Sequence, residues 1–128
     1  MGAAGIIVEY NPLHSGHLRL LEAGRAALGP DTAMVCVMSG NFVQRGDFAL
    51  LRKHARARAA VESGADLVLE LPALFAVRAA PDFAFGGAAL LAFLQDSRER
   101  DPVKLFLNAC ALPGVHMHGP EHHGTVPC

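Results

Sequence analysis

The chain has 128 residues, of which 52% are hydrophobic and 18% are charged, and its formal net charge is −1. This length supports one domain with a real core, and the composition excludes general disorder. A near-neutral charge excludes a polycationic nucleic-acid binder, so any RNA contact must come from a local patch. No apolar run approaches the roughly 18 residues of a membrane span, and no signal peptide opens the chain. Three cysteines without framework spacing indicate a reducing compartment, so we expect a cytoplasmic protein with no membrane partner.

A strand, a helix and a second strand are predicted in the first third of the chain. The apolar run Ala3–Val8 is typical of a strand covered on both faces. A helical period begins at Ser15, the predicted N-cap, and Gly29-Pro30 stops it. A second buried strand is predicted over residues 33–38, and residues 39–46 form a polar loop too rich in glycine for a helix or a strand.

The same alternation continues toward residue 95. A basic helix is predicted over residues 51–63, a third strand over Leu67–Leu71, and another helix over residues 82–95, in which Gly86-Gly87 marks close packing or a local weakness. Strands that alternate with helices indicate βαβ units. The predicted fold is therefore α/β: a Rossmann-like, partial doubly wound parallel sheet of three to four strands with helices on both faces.

The last third of the chain differs in character. A charged stretch at residues 96–101 precedes residues 103–110, which are a candidate fourth strand, and residues 112–128 are predicted to be a disordered tail. Several tail residues are of types that bind transition metals, namely His116, His118, His122, His123 and Cys128. No regular element would set their geometry, so no metal site is predicted there.

The turn after the first strand carries the H-x-G-H sequence His14-Ser15-Gly16-His17. In an open parallel sheet, ligands bind at the carboxyl ends of the strands. A helix N-terminus with unpaired amides favours an anion, and Gly16 has no β-carbon to block a phosphate. His14 and His17 are three residues apart, so they share a helical face and can both donate to phosphate oxygens. Such donors stabilise charge that develops on an attacked α-phosphate, and the motif therefore predicts a nucleotide site.

One dense basic segment follows the glycine-rich loop. It contains Arg52, Lys53 and Arg56, which are candidate contacts for an RNA backbone. A solvated helix face explains the same pattern. Glu70, inside the third strand, is interpreted as a satisfied polar group at a strand end rather than as a catalytic acid.

Three stretches, in the same order and spacing, resemble the bacterial tRNA(Met) cytidine acetate ligase family within the H-x-G-H nucleotidyltransferase superfamily. They are VEYNPLHSGH at residues 8–17, MSGNFVQRG at 38–46 and GADLVLELP at 64–72, and DFAFGGA at 82–88 also matches. The resemblance covers about residues 4–94. It implies that residues 1–95 are the N-terminal part of an ATP-binding domain, followed by the fourth-strand region at 96–111 and the tail.

The resemblance also implies a reaction. The enzymes of this family activate acetate with ATP to form acetyl-adenylate, and then acetylate N4 of the wobble cytidine in elongator tRNA(Met). The partners would be ATP with Mg²⁺, acetate and tRNA(Met), without DNA, and His14 and His17 would be the catalytic residues. The ATP-binding segment would comprise Ile7, Val8, Glu9, Tyr10, Asn11, Pro12, Leu13, His14, Ser15, Gly16, His17, Leu18, Arg19 and Leu20. The same cleft would be lined by Ser39, Asn41, Gln44 and Arg45, of which Arg45 is the candidate phosphate or acyl-adenylate contact.

Two alternatives remain open at the sequence level. The family pattern continues with a Phe-Gly-Ser-Glu-like turn and a later Ser-Ser/Thr and Arg motif, whereas this chain has Asn108-Ala109-Cys110-Ala111 and then the tail. The chain is therefore expected to hold only the N-terminal part of the family's sequence. It would then be either part of the ligase or a catalytically inactive fragment that binds nucleotide weakly. The second alternative is another H-x-G-H adenylyltransferase, which would share only the first motif.

Overall fold

The computed structural model describes residues 2–95, and the regular elements of this part alternate between strands and helices. A one-turn 3₁₀ helix at Gln44–Gly46 lies in the loop that was predicted to be irregular. The strands are β1 (Ala3–Val8), β2 (Ala33–Ser39) and β3 (Leu67–Leu71), and the helices are α1 (Ser15–Leu28), α2 (Lys53–Glu62), α3 (Ala73–Ala76) and α4 (Ala80–Gln95).

The three strands form one parallel sheet in the order β1-β2-β3. Val8 pairs with Met38, and Met38 pairs with Glu70, so the carboxyl ends of the strands lie level at one edge of the sheet. This arrangement confirms the predicted Rossmann-like α/β class. The candidate fourth strand at residues 103–110 and the predicted tail at 112–128 lie outside the described residues.

Helices cover both faces of the sheet, as predicted. Because side chains alternate along a strand, Met34, Cys36 and Met38 of β2 point to one face and Val37 to the other. The first face packs with α1 and α2 around a core that includes Leu21 and Ala60. The second face packs with α3 and α4 around a core of Val37, Leu71, Ala76, Phe83 and Leu91.

The Gly86-Gly87 pair lies where α4 approaches its neighbours most closely. A β-carbon on Gly87 would lie 2.6 Å from Cγ2 of Ile7 in β1, and one on Gly86 would overlap the ring of Phe75 in α3. Of the two readings of this pair, close packing is therefore the one that the structure supports.

The structure corrects several local boundaries. The N-cap of α1 is His14, one residue before the predicted Ser15, because an imidazole nitrogen takes the place of the expected hydroxyl. Helix α2 begins at Lys53, two residues later than predicted, and α4 begins at Ala80, two residues earlier. The four-residue helix α3 was not predicted, since one turn after Pro72 is too short to show a period. In the part of the chain that is described, no helix is long and apolar enough to span a membrane.

Candidate nucleotide site

The turn between β1 and α1 is organised by its two histidines. Nδ1 of His14 accepts a hydrogen bond from the Gly16 amide (3.1 Å), and Nδ1 of His17 accepts one from the His14 amide (3.2 Å). These reciprocal bonds form a capping box in which imidazole nitrogens replace the usual oxygen acceptors. The amide of His17 bonds to the His14 carbonyl (2.9 Å). The expectation of unpaired amides is therefore corrected, because the motif satisfies three of its own amides.

This bonding also determines what the histidines can offer a ligand. Because each Nδ1 accepts an amide hydrogen, the proton of each neutral ring lies on Nε2. The ring centroids are 3.8 Å apart with an interplanar angle of 30°. Partial burial, together with the nearby His14, lowers the pKa of His17. The pair thus presents two neighbouring Nε2–H donors, as a phosphate site requires.

Gly16 has a structural role within the motif. A β-carbon at this position would lie 3.0 Å from Cε1 and 3.1 Å from Nδ1 of His14. Any side chain here would press on the capping imidazole before it met a phosphate. Glycine therefore keeps the His14 ring in place, in addition to the role predicted from the sequence.

Tyr10 anchors the turn to the core. Its backbone has φ 49°, in the left-handed region that bulky residues rarely adopt, and the following Asn11–Pro12 peptide is cis. The side chain is buried, and its hydroxyl lies 3.3 Å from Sγ of Cys36. Its ring also makes an edge contact with that of His17 at a centroid distance of 4.9 Å. Burial, followed by the hydrogen bond to Cys36, raises the pKa of Tyr10, so the phenol stays protonated and acts as an anchor.

The loop after β2 forms a small hairpin beside this turn. Phe42 and Phe48 pair across it, and their rings lie 4.9 Å apart. Two hydrogen bonds join the hairpin to the β1 turn: the Gln44 amide donates to Oε1 of Glu9 (2.7 Å), and the Leu50 amide donates to Oδ1 of Asn11 (2.7 Å). The stretches that follow β1 and β2 therefore meet at the carboxyl edge of the sheet.

The four predicted lining residues of this loop have different environments. Ser39 is fully buried, and its hydroxyl lies 3.5 Å from the Arg56 guanidinium. Oδ1 of Asn41 accepts from the Lys53 amide at the start of α2 (3.1 Å). Gln44 is half-buried. Arg45 lies on the exposed tip with φ 66°, and no carboxylate within the described residues pairs with it. Arg45 is the only charged residue of these four, and its exposure makes it accessible to a ligand.

The three predicted RNA contacts are also separated by the structure. Arg52 is exposed, whereas Nζ of Lys53 forms an ion pair with Oε2 of Glu70 at 2.6 Å. This ion pair agrees with the interpretation of Glu70 as a satisfied polar group. Arg56 is 1% exposed, so the geometry does not support it as a contact for an RNA backbone. No pattern in the sequence distinguishes Arg56 from the other cations of α2, so its burial could not be predicted.

A groove in the surface lies away from these residues. It is lined by Ala57 and Val61 of α2 and by Asp66 and Leu67 at the start of β3. Because Leu67 is at the amino end of its strand, this groove opens at the opposite edge of the sheet from the histidine turn. Ligands of open parallel sheets bind at the carboxyl edge, so the histidine turn remains the candidate site.

Residues 1–98 match the HIGH Nucleotidyl Transferase family, so the chain belongs to that family. Two of the relatives that the chain resembles carry the same, more specific name. It is 55% identical over 91 residues to a protein of Lactobacillus delbrueckii subsp. bulgaricus called tRNA(Met) cytidine acetate ligase, a match that covers 71% of this chain and 23% of the relative. A protein of the same name from Bacillus subtilis is 44% identical over 123 residues, covering 92% of this chain and 29% of the relative.

A solved structure shows the same likeness. The crystal structure of Thermotoga maritima TmcAL bound with alpha-thio ATP matches with a TM-score of 0.68 and 49% identity, over 72% of this chain and 22% of that one. The chain thus spans less than a third of the length of these relatives. The Bacillus subtilis match covers 92% of the 128 residues, so it cannot end before residue 112. It therefore extends into the segment that the sequence pattern treated as an irregular tail.

Proposed function

We propose that this chain is the nucleotide-binding part of a tRNA(Met) cytidine acetate ligase. In this proposal an acetate oxygen attacks the α-phosphorus of ATP, the bond to pyrophosphate breaks, and acetyl-adenylate forms. The N4 amine of the wobble cytidine then attacks the acetyl carbonyl, AMP leaves, and the amine loses a proton. The observation that carries the proposal is the paired-histidine turn at the carboxyl end of β1, in a chain that is 49% identical to a neighbour bound to an ATP analogue.

The histidines would act on the phosphates of ATP. Negative charge builds up on the oxygens of the α-phosphate and on the leaving pyrophosphate during transfer. Two Nε2–H groups that are held in place before the reaction stabilise that charge without reorganisation. Of the predicted segment from Ile7 to Leu20, His14 and His17 therefore carry the chemistry, while Tyr10 and Gly16 hold their geometry. Arg45 would add a cation from the hairpin tip.

Mg²⁺ would accompany the nucleotide. In the part of the chain that is described, no group of three or more His, Cys, Asp or Glu side chains could hold a metal ion. Mg²⁺ in nucleotide sites commonly keeps several waters and is held largely by the phosphates themselves. When bound in that way, it would neutralise phosphate charge.

A tRNA substrate belongs to the same proposal and is supported by the names of the relatives. A cytoplasmic location of the protein is proposed with it. Of the three predicted RNA contacts, Arg52 alone combines exposure with a side chain that no described carboxylate pairs. The alternative function is a nucleotide-binding module without turnover, which would need only the histidine turn that the described residues contain.

The first test is MgATP binding by calorimetry with His14→Asn and His17→Asn. Asparagine places an amide oxygen near the position of Nδ1, so the backbone bonds can persist, but it has no counterpart of Nε2–H. We expect saturable binding by the unmodified chain and a loss of about tenfold in affinity for each variant. The exposed His54 offers a matched control, since His54→Asn should bind MgATP as the unmodified chain does.

Turnover distinguishes the two candidate functions. The ligase predicts AMP and pyrophosphate release that depends on acetate, followed by acetyl transfer to tRNA(Met). Saturable MgATP binding without acetate-dependent AMP would identify the nucleotide-binding module. Absence of binding by a folded sample would contradict both.

A further inference from the structure

Arg56 is a buried cation that the proposed chemistry does not use. It extends from α2 to the carboxyl edge of the sheet, where its Nε donates to the Leu51 carbonyl at 3.1 Å. One terminal nitrogen donates to the Glu9 carbonyl and the other to the Gly40 carbonyl. Glu9 follows β1, Gly40 follows β2, and Leu51 precedes α2, so one guanidinium joins three segments of the site.

The three carbonyls explain why the guanidinium is tolerated at 1% exposure. A chain that leaves a strand for a turn exposes carbonyl oxygens that no neighbouring strand satisfies, and burying such groups without partners is costly. Arginine carries five N–H donors in a rigid planar fork, which suits several fixed acceptors at once. Burial lowers the pKa of Arg56, and the nearby carboxylates of Glu9 and Glu70 offset part of that shift.

The contact at Glu9 matters most for the site. Glu9 directly precedes Tyr10, whose side chain contacts His17, and its own carboxylate receives the Gln44 amide from the hairpin. Holding the Glu9 carbonyl therefore sets the start of the histidine turn relative to the hairpin that carries Arg45. No other described side chain bonds to both the β1 and the β2 strand ends.

We infer that Arg56 is a positioning residue of the nucleotide site: it holds the histidine turn and the hairpin in the arrangement that receives the phosphates of ATP, without touching them. This inference rests on the function proposed above. It also replaces the reading of Arg56 as an RNA contact.

The first arm of the test needs no ligand. Amide hydrogen exchange is measured for Gln44 and Leu50, which join the turn to the hairpin, and for Met34, whose amide bonds to Asp66 at the opposite end of the sheet. In Arg56→Met, we expect exchange of Gln44 and Leu50 to accelerate about tenfold more than that of Met34. Arg58→Met on the same helix is the control, since Arg58 is exposed and paired only with Glu62.

The second arm measures MgATP affinity in the same proteins. We expect Kd to rise about tenfold in Arg56→Met and by a smaller factor in Arg56→Lys, because lysine keeps the charge but cannot span the three carbonyls. Arg58→Met should leave Kd unchanged. If Arg56→Met fails to fold, Arg56→Lys carries both arms.

Each outcome has a distinct meaning. Equal acceleration at Gln44, Leu50 and Met34 means that Arg56 supports only global stability, and this overturns the inference. Local acceleration with an unchanged MgATP Kd overturns it as well, since the turn would then bind MgATP equally well without the contacts of Arg56. If the unmodified chain does not bind MgATP, the proposed function fails, and the exchange arm still decides whether Arg56 holds the turn.

Discussion

At the scale of single residues, the site is shaped by side chains that bond to the backbone. His14 and His17 use one ring nitrogen each in the capping box of α1, and their other ring nitrogens are the proposed phosphate donors. Tyr10 holds a left-handed backbone conformation by burying its ring and bonding to Cys36. Burial raises the pKa of the Cys36 thiol, so this cysteine is a core residue and not a nucleophile. Local geometry and ligand chemistry therefore depend on the same few groups.

His17 makes stability dependent on pH. Its pKa in the folded protein is lowered by burial and by His14, so the unfolded chain takes up a proton first as the pH falls. The contribution of the neutral ring is complete above the unfolded pKa, about 6.5, and is lost as the pH falls below it. We expect the free energy of unfolding in urea to decrease from pH 7.5 to 5.5. An NMR titration of His17 should give a pKa below that of a free histidine.

A matched pair of variants checks the assignment. His17→Asn should remove part of the pH dependence between pH 7.5 and 5.5, whereas His54→Asn on the exposed side of α2 should retain it. An unchanged slope in His17→Asn would contradict the role of His17.

At the scale of elements, opposite ends of the sheet are joined by different cations. Arg56 connects the carboxyl ends, and Arg25 of α1 connects the amino ends. Arg25 donates to the Thr32 carbonyl (2.9 Å), the Gly64 carbonyl (2.9 Å) and Oδ2 of Asp66 (2.6 Å). The same Asp66 oxygen accepts from the Met34 amide (2.7 Å). Helices and strands are therefore connected at both ends of the sheet, and the candidate nucleotide site lies at only one of them.

Asp66→Ala should destabilise the fold by about 2 kcal/mol, because it leaves the Met34 amide without its acceptor and removes one of the acceptors of Arg25. The Met34 amide, followed by Arg25, lowers the pKa of Asp66. This contribution is present above the unfolded pKa of about 3.9 and is lost as the pH falls through the lower folded value. Urea unfolding at pH 7 and pH 3 measures both effects. Glu62→Ala, which breaks an exposed ion pair, should destabilise the fold far less than Asp66→Ala does.

Gly87→Ala tests the packing of α4 on β1. Helix propensity alone would make this change stabilising by about 1 kcal/mol. The 2.6 Å approach to Ile7, a branched side chain in the sheet, should instead make it destabilising by about 1–3 kcal/mol. Thermal or urea unfolding gives the sign directly. Gly24→Ala is the control, because its neighbour is the flexible end of Met34, which can move aside.

At the scale of the whole molecule, the net charge is nearly balanced, and within residues 2–95 few cations are available to a polyanion. The net charge is −1, and several basic side chains of the described part are already committed: Arg25, Lys53, Arg58 and Arg78 to carboxylates, and Arg56 to carbonyls. Arg45 and Arg52, near the carboxyl edge, have no such partner among the described residues. Contact with RNA would therefore be local rather than spread over the surface.

The salt dependence of RNA binding measures this directly. With the anticodon stem-loop of elongator tRNA(Met) as the probe, each phosphate contact adds about −0.7 to the slope of log K against log salt concentration. We expect Arg52→Ala to make the slope shallower by about 0.7. Arg58→Ala, which removes a cation already paired with Glu62, should leave it unchanged. Equal slopes in all three proteins would exclude Arg52 from the interface.

Much of the architecture follows from the sequence alone. The periods of the apolar residues predict the three strands and the longer helices, and glycine and proline mark their ends. The order of these elements is enough to predict a parallel sheet and to place the H-x-G-H turn at its carboxyl edge. These features are local, because each depends on residues within a few turns of one another in the chain.

The tertiary structure decided how individual side chains are used. Arg56 and Glu9 are 47 residues apart, and the basic pattern of α2 does not show which of its cations is buried. His14 rather than Ser15 is the N-cap because its imidazole accepts the Gly16 amide while the imidazole of His17 accepts the His14 amide. Burial and hydrogen bonding are properties of the packed chain. Two arginines of similar sequence context therefore differ: Arg52 is exposed at the surface, whereas Arg56 is buried and bonds to backbone carbonyls. Periodicity predicts which elements form, and only the packing of those elements determines which polar groups remain free for a ligand.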